Sequence, residues 1–534
     1  MSTFLGLPGL RPGHRYHRPH GQEAPESMGR VVAHEDFPDA APVHLADAQL
    51  RSNLRHATHT IRDKRLKVVA ELDDWELLRE SGSQIKAHAM KNLADLLEQF
   101  EASATAAGAT VHWAKDATEA NEIIRGILRE EGAEEVIKVK SMATQEIGLN
   151  EDLAEHGIKA FETDLAELIV QLDDDLPSHI LVPAIHKNRD QIRDIFLREM
   201  EDAPEGLTNN PAELAAAART HLRRKFLSTK VAISGANFAL ADTGTLGVVE
   251  SEGNGRMCLT LPETLISLVG IEKVLPSFED IHVMGQLLPR SSTGERMNPY
   301  TSLWTGVTPG DGPQTVHIVL LDNGRTRALA DEYGRSALHC IRCSACMNVC
   351  PVYERTGGHA YGSTYPGPIG AILSPLLTGT DVEGNDSLPF ASSLCGACYD
   401  ACPVKINIPD ILVHLRGRSE DGKQGASRMT QLDAGLAGAT WLFADGRRFG
   451  ALQKGLVGAR LAGRFLPGPG GKISALPGIA GKWTVSRDLP QVPAHSFRAD
   501  FAAGRSPYSR GTTTPAAGGE RPESAAPTSE GDVK

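Results

Sequence analysis

The chain has 534 residues, a net charge of −12 and a pI near 5.9, with hydrophobic residues at 41% and charged residues at 23%. That composition is ordinary for a globular protein, and the length exceeds what one core grows to, so two or more folded units are expected. The acidic balance speaks against nucleic acid as a partner, no run approaches the roughly 20 apolar residues of a membrane span, and the Gly-, Pro-, His- and Arg-rich start is no signal peptide, so the expected location is the cytoplasm.

Residues 1–40 are poor in large apolar side chains and read as a disordered tail. A charged amphipathic helix follows over 44–72, with Leu45, Leu50, Leu54 and Ile61 at helical spacing. From about 83 to 325 helices and short apolar strands alternate. The spacing predicts a helix over 85–106, a strand over 110–113, a helix over 117–131, a strand over 135–139, a helix over 143–156, a strand over 158–161 and an apolar run over 180–184. Such alternation predicts an α/β domain around a largely parallel sheet. The Gly- and Thr-rich stretch 231–261 reads as hairpins at one end of that sheet, with Cys258 in an apolar strand. A last buried strand over 316–321 and a helix over 325–333 lead to a cysteine-rich segment. The expected layout is thus a tail (1–40), an α/β domain (41–335), an α-helical ferredoxin-like domain (336–420), a small helical C-terminal region (421–503) and a disordered tail (504–534).

Of eight cysteines, seven lie between positions 340 and 402. Cys340, Cys343, Cys346 and Cys350, followed by Pro351, read C-x2-C-x2-C-x3-C-P. Two-residue spacers let a loop curl around one iron–sulfur cube with three thiolates inward, while the fourth thiolate reaches a neighbouring cube. Cys395, Cys398 and Cys402, followed by Pro403, fit the same template with Ser392 at the first position. Cross-ligation gives Cys340, Cys343, Cys346 and Cys402 to a first [4Fe-4S] cluster, and Cys350, Cys395 and Cys398 to a second. The last corner of the second is left to Ser392, Ser393, a partner, water or nothing, the last giving a three-iron form. Zinc, which takes four ligands as two C-x2-C pairs, fits this pattern poorly. Two such cubes make a relay for single electrons.

Outside the cysteines the signals are weaker. No G-x-G-x-x-G or P-loop survives inspection, so no nucleotide, NAD or flavin site is expected. Lys140 and Ser141, with Lys138, end a strand ahead of a helix, where an anion is held in some α/β proteins. Asp242, Thr243, Gly244, Thr245 and Glu250 suit either a small acid's pocket or a plain hairpin turn. Cys258 reads as a small buried hydrophobe, and His186 and His339 as ordinary loop histidines. The basic, apolar segment 441–465 reads as a helix closing over the cysteine module, with docking on a partner or an acidic membrane surface as the alternative.

KVKSMATQEIGLNEDL and ALADTGTLGVVESEGNGR, followed by CIRCSACMNVCPVY and SSLCGACYDACPVKINIPD, resemble the lactate utilization protein B family, over about residues 45–500. The resemblance implies a LUD domain akin to CoA-transferase- and sugar-isomerase-like folds, and the serine at position 392 belongs to the family's pattern. It implies participation in oxidising L-lactate to pyruvate beside two companions, a cysteine-rich subunit and a second LUD-domain protein. No catalytic residue for lactate is carried over. Two other readings remain open at this point: a catalytic LUD domain of acyl- or CoA-transferase or isomerase type, and an iron–sulfur subunit serving another donor such as glycolate or a disulfide.

Overall fold

The computed structural model describes residues 26–421 continuously, and outside that span 2–4, 7–11, 431–463, 472–476, 488–490, 493 and 495–505. Residues 26–421 lie in one compact unit, and the helices Gln431–Phe443 and Gly446–Gly463 belong to another. Of the two expected tails, residues 1, 5–6, 12–25 and 506–534 lie outside the described residues. Among these residues no helix is long and apolar enough to cross a membrane.

The α/β part is built on six parallel strands: β1 (Thr110–Ala114), β2 (Glu135–Lys138), β3 (Lys159–Glu162), β4 (Val231–Ser234), β7 (Thr264–Gly270) and β10 (Thr315–Leu321). Their order across the sheet is β1-β10-β7-β4-β2-β3. A second sheet of four strands holds β5 (Phe238–Leu240), β6 (Thr245–Glu250), β8 (Val274–Leu275) and β9 (Tyr300–Thr305), in the order β8-β5-β6-β9. β7 is buried along its whole length, as a central parallel strand must be. Along β10, Val319 and Leu321 enter one core with Val136, Ile233, Ile266 and helix α1 (Ala117–Glu130). Val316, Ile318 and Leu320 enter the other. That second core also contains Cys343, Cys346, Cys350, Cys398 and Cys402, so the sheet and the cysteine segment share one apolar interior. Each fully buried Leu or Ile in such a core contributes about 1.5–3 kcal/mol.

Several expectations are corrected. The helix over 85–106 is broken at Asn92 into Trp75–Lys91 and Leu93–Ala106, and the one over 143–156 breaks at Gly148, whose φ is +65°. The helix over 44–72 is two, Phe37–Ala46 and Ala48–Val69, because Asp47 ends one and caps the next by accepting from Leu50 N. Order begins before residue 40: Val31, Ala33 and Phe37 are buried, and Asn385 accepts from Ala33 N and donates to Val31 O. The stretch 231–261 is only partly hairpin. β4 lies inside the main sheet, and Cys258 sits in the helix Asn254–Thr260 rather than in a strand. Short apolar runs carry no period that separates a buried strand from a buried turn of helix.

Candidate functional site

The loop carrying the first cysteines is left-handed at two non-glycine residues, Arg342 (φ +60°) and Ser344 (φ +59°). This is costly backbone for a side chain, and it is what turns successive thiols toward one point. Short helices Ala345–Asn348 and Ala397–Ala401 then carry Cys346 and Cys398. Cys340, Cys343, Cys346 and, from far along the chain, Cys402 line one cavity, walled by Ile180, Ile341, Ile369, Val404, Ile406 and Ile408. Cys350, Cys395 and Cys398 form a second neighbourhood, in which Cys350 and Cys395 each perturb Cys398. Cys395 is exposed, whereas Cys350 and Cys398 are buried.

The donor set fits an iron–sulfur group. Burial, then the neighbouring Cys402 and Cys340, pushes the Cys343 thiol far up, and burial pushes Cys402 to about 11 and Cys398 to about 12. Thiols crowded so tightly resist ionising alone, and a bound cationic centre reverses that by ligating thiolate. Backbone amides aim at the sulfurs: Arg342 N donates to Cys340 Sγ (3.4 Å), Tyr353 N to Cys350 Sγ (3.5 Å) and Ile406 N to Cys402 Sγ (3.3 Å). Amide hydrogen bonds of this kind tune cluster potential.

The second run repeats the first in detail. Leu394 (φ +55°) and Gly396 (φ +85°) flank Cys395 as Arg342 and Ser344 flank Cys343. Leu394 N donates to Ser392 Oγ at 3.1 Å, the same two-residue step by which Arg342 N reaches Cys340 Sγ. Ser392 therefore stands in the backbone position of Cys340.

Charged side chains that the sequence reading did not single out hold this module. Arg79 donates to Cys402 O (3.0 Å) and Tyr399 O (3.1 Å), and Arg65 to Ala401 O (2.9 Å), both guanidinia being buried. Under the first cavity, buried Glu272 pairs with Arg325 and with Arg342 (3.1 Å), while Arg325 also binds Glu146 (2.9 Å) and Tyr365 donates to Glu146 (2.5 Å). Lys86 donates to Glu272 O at 2.5 Å, and burial pulls its ammonium down to about 7. Arg342, inside the first C-x2-C, is where this network meets the cysteine motif. His339 beside Cys340 is held down to about 4 by burial, then by Lys86.

The weaker candidates divide. The chain leaves β2 and β4, neighbours in the sheet, toward opposite edges, and Lys140 and Ser141 lie just past the carboxyl end of β2. Lys140 Nζ donates to Leu181 O (2.7 Å), and Ser141 caps the helix Met142–Glu146. Burial, then Glu162, pushes Glu167 up to about 8, and burial, then Asp164, pushes Glu252 to about 7, with Lys140 opposing both. Glu250 accepts from the amides of Glu252 (2.7 Å) and Gly253 (2.6 Å). Asp242, Thr243, Gly244 and Thr245 lie at the opposite end of β6, where Asp242 accepts from Phe278 N (2.9 Å). Lys138 is spent on Glu162 (2.7 Å). Cys258 is fully buried, its thiol pushed up to about 12 by burial.

A parallel α/β sheet joined through one core to a pair of cysteine loops defines an iron–sulfur protein with an appended α/β domain. The profile of the LUD domain matches residues 97–321, and that of the 4Fe-4S dicluster domain matches residues 336–406. The chain is 42% identical to lactate utilization protein B of Exiguobacterium sp. over 88% of this chain and 98% of the relative. It is 42% identical to that of Bacillus velezensis over 88% and 97%, and 40% identical to that of Bacillus subtilis over 89% and 98%. The chain belongs to the lactate utilization protein B family.

Proposed function

We propose that the protein is the electron-relaying iron–sulfur subunit of a complex that oxidises L-lactate to pyruvate. Four thiols from both ends of the cysteine segment gathering on one apolar-walled cavity carry this reading. Cys340, Cys343, Cys346 and Cys402 would hold one [4Fe-4S] cluster. Cys350, Cys395 and Cys398 would hold the second, whose fourth corner would fall to Ser392, Ser393, a partner or water. When bound, the clusters supply one-electron storage. The chain's own part is to fix the thiols, aim amides at sulfur and keep water from the first site. The dehydrogenating chemistry would lie with companion subunits, a cysteine-rich subunit and a second LUD-domain protein.

The sheet supports a second reading, a small acid bound by this chain itself. Doubly wound sheets bind ligands at the carboxyl ends of strands where the winding reverses, and Lys140 and Ser141 stand there between β2 and β4. One experiment separates the two. Protein purified anaerobically is assayed for iron, sulfide and bleaching of the visible bands by L-lactate, alone and with its companions. Bleaching only in the complex supports the relay. Turnover of an acyl or CoA substrate by cluster-free protein supports the second reading, and a colourless, zinc-loaded protein overturns the first.

A further inference from the structure

The loop after helix Leu165–Leu172 crosses onto the cysteine module at a place that neither cluster explains. Gly358 lies so close to it that a Cβ there would sit 2.0 Å from Ser178 O. Tyr353 donates to Ser178 O (2.7 Å) and Gly358 N to Ser178 Oγ (3.0 Å). Beside this seam three side chains from the two segments converge. His186 Nε2 is 2.9 Å from Asp175 Oδ2, and His359 Nε2 is 4.0 Å from Asp175 Oδ1. The imidazoles of His186 and His359 stand edge to face with centroids 4.7 Å apart.

We propose that Asp175, His186 and His359 form a binding site for one divalent transition-metal ion, separate from the cluster cysteines, which clamps the loop to the cysteine module. One ligand atom from each residue falls within a sphere where all three are no more than 4.8 Å apart, a separation that donors about 2 Å from a shared ion reach with small adjustments. Two imidazoles and a carboxylate suit a borderline cation such as zinc or ferrous iron and not calcium or magnesium, which take oxygen. His359 Nε2 donates to Leu176 O at 2.6 Å, which holds that ring beside Asp175. Hydrogen bonding within the protein leaves the group incomplete, because His186 Nδ1 is buried without a partner.

The surrounding charges are compatible with an ion. Lys187 reaches Asp175 Oδ2 (2.6 Å) and Asp173 (2.6 Å), and Arg198 also holds Asp173 (2.7 Å). The cations thus occupy Oδ2 and Asp173, while Oδ1 accepts from Leu176 N (2.7 Å) and faces His359. The ring of His44 lies tilted against His359 with centroids 6.0 Å apart. A metal here would rigidify the loop that carries Ile180 into the wall of the first cavity and His179 onto Asn348 (3.2 Å), between Cys346 and Cys350.

The test uses the full-length, cluster-loaded protein incubated anaerobically with Zn2+ and desalted. Elemental analysis and the zinc X-ray absorption edge are then read. About one zinc per chain with a nitrogen and oxygen shell, including imidazole scattering and no sulfur, is expected. His359→Gln and Asp175→Asn should each weaken zinc binding about tenfold or more while iron and sulfide contents stay unchanged. Sulfur in the zinc shell, full zinc retention by His359→Gln, or wild-type protein that leaves the column free of zinc would each overturn the site. Should a variant fail to fold, the wild-type absorption spectrum decides alone. Iron content reports separately on the relay, so the failure of one reading is distinguishable from that of the other.

Discussion

The two cysteine neighbourhoods share a backbone design and differ in everything around it. At the first, Cys343, Cys346 and Cys402 are buried in the core that includes one face of the sheet. Beneath them lies a network of Glu272, Glu146, Arg325, Arg342 and Lys86. At the second, Cys395 is exposed, its neighbours Leu394 (38% exposed) and Tyr399 (40%) face outward, and the first ligand position is a serine. Loop spacing thus supplies the thiols at both sites, while the shared core buries three of the four thiols at the first and leaves Cys395 open at the second. An enclosed site with fixed charges suits a store of electrons, and an open one suits their entry or exit.

The largest expected effect breaks this asymmetry directly. Cys343→Ser and Cys395→Ser should each remove about half of the bound iron, if each site holds one cube. Only Cys343→Ser should also lower the melting temperature strongly, because Cys343 is buried in the shared core and Cys395 is exposed. Equal losses of stability in the two variants would show that the sites are not differently embedded. Next comes the charge beneath the first site. Burial works against the Glu272 carboxylate, but Arg325, Arg342 and Lys273 hold it well below its ordinary value. Glu272→Gln leaves Arg325 and Arg342 short of a partner, a change of about 3–5 kcal/mol at neutral pH. A carboxylate with a depressed folded-state pKa stabilises fully above its unfolded value of about 4.5 and loses that contribution as pH falls toward the folded value. The stability gap between wild type and variant, measured by urea unfolding, should therefore narrow below about pH 4.5. A pH-independent gap would place the effect in packing instead.

Arg79→Ala is expected to be smaller, about 1–3 kcal/mol, for two charge-assisted bonds to the carbonyls of Cys402 and Tyr399. It should also speed iron loss to a chelator from both sites, because those carbonyls belong to the turn carrying Cys398 and Cys402. Arg79→Lys should not restore the rate, since an ammonium cannot hold two carbonyls with the geometry of a planar fork. Iron loss confined to one site would sink the idea that this turn couples the two.

How far the sequence foretold this can be argued from the same residues. The cysteine sets were legible because a cluster's geometry is written in local spacing, and an α/β domain was legible because helix and strand periods alternate. Arg79, Glu272 and Glu146 were not, because each acts on a distant segment and a buried charge has no local signature. The central strand β7 escaped for a related reason, being a continuous apolar run without a period of its own. Cys258 was placed in a strand and lies in a helix, though its burial was read correctly. His186 was read as an ordinary loop residue, since its partner His359 is brought near only by folding.

The smallest change in stability belongs to the substitution that tests the comparison most finely. Ser392 Oγ and Cys340 Sγ accept amides two residues ahead in the same manner, so the backbone at Ser392 already has the form that presents a thiol. Ser392 is partly exposed on the second loop, and a sulfur for an oxygen there disturbs little packing. Ser392→Cys should leave the melting temperature nearly unchanged and complete a four-thiolate set. Any three-iron signal in the oxidised electron paramagnetic resonance spectrum should disappear, and iron should resist chelation longer. An unaltered spectrum with the new thiol still free to alkylation would mean that the second cube does not reach position 392, and its fourth corner would then belong to a partner or to solvent.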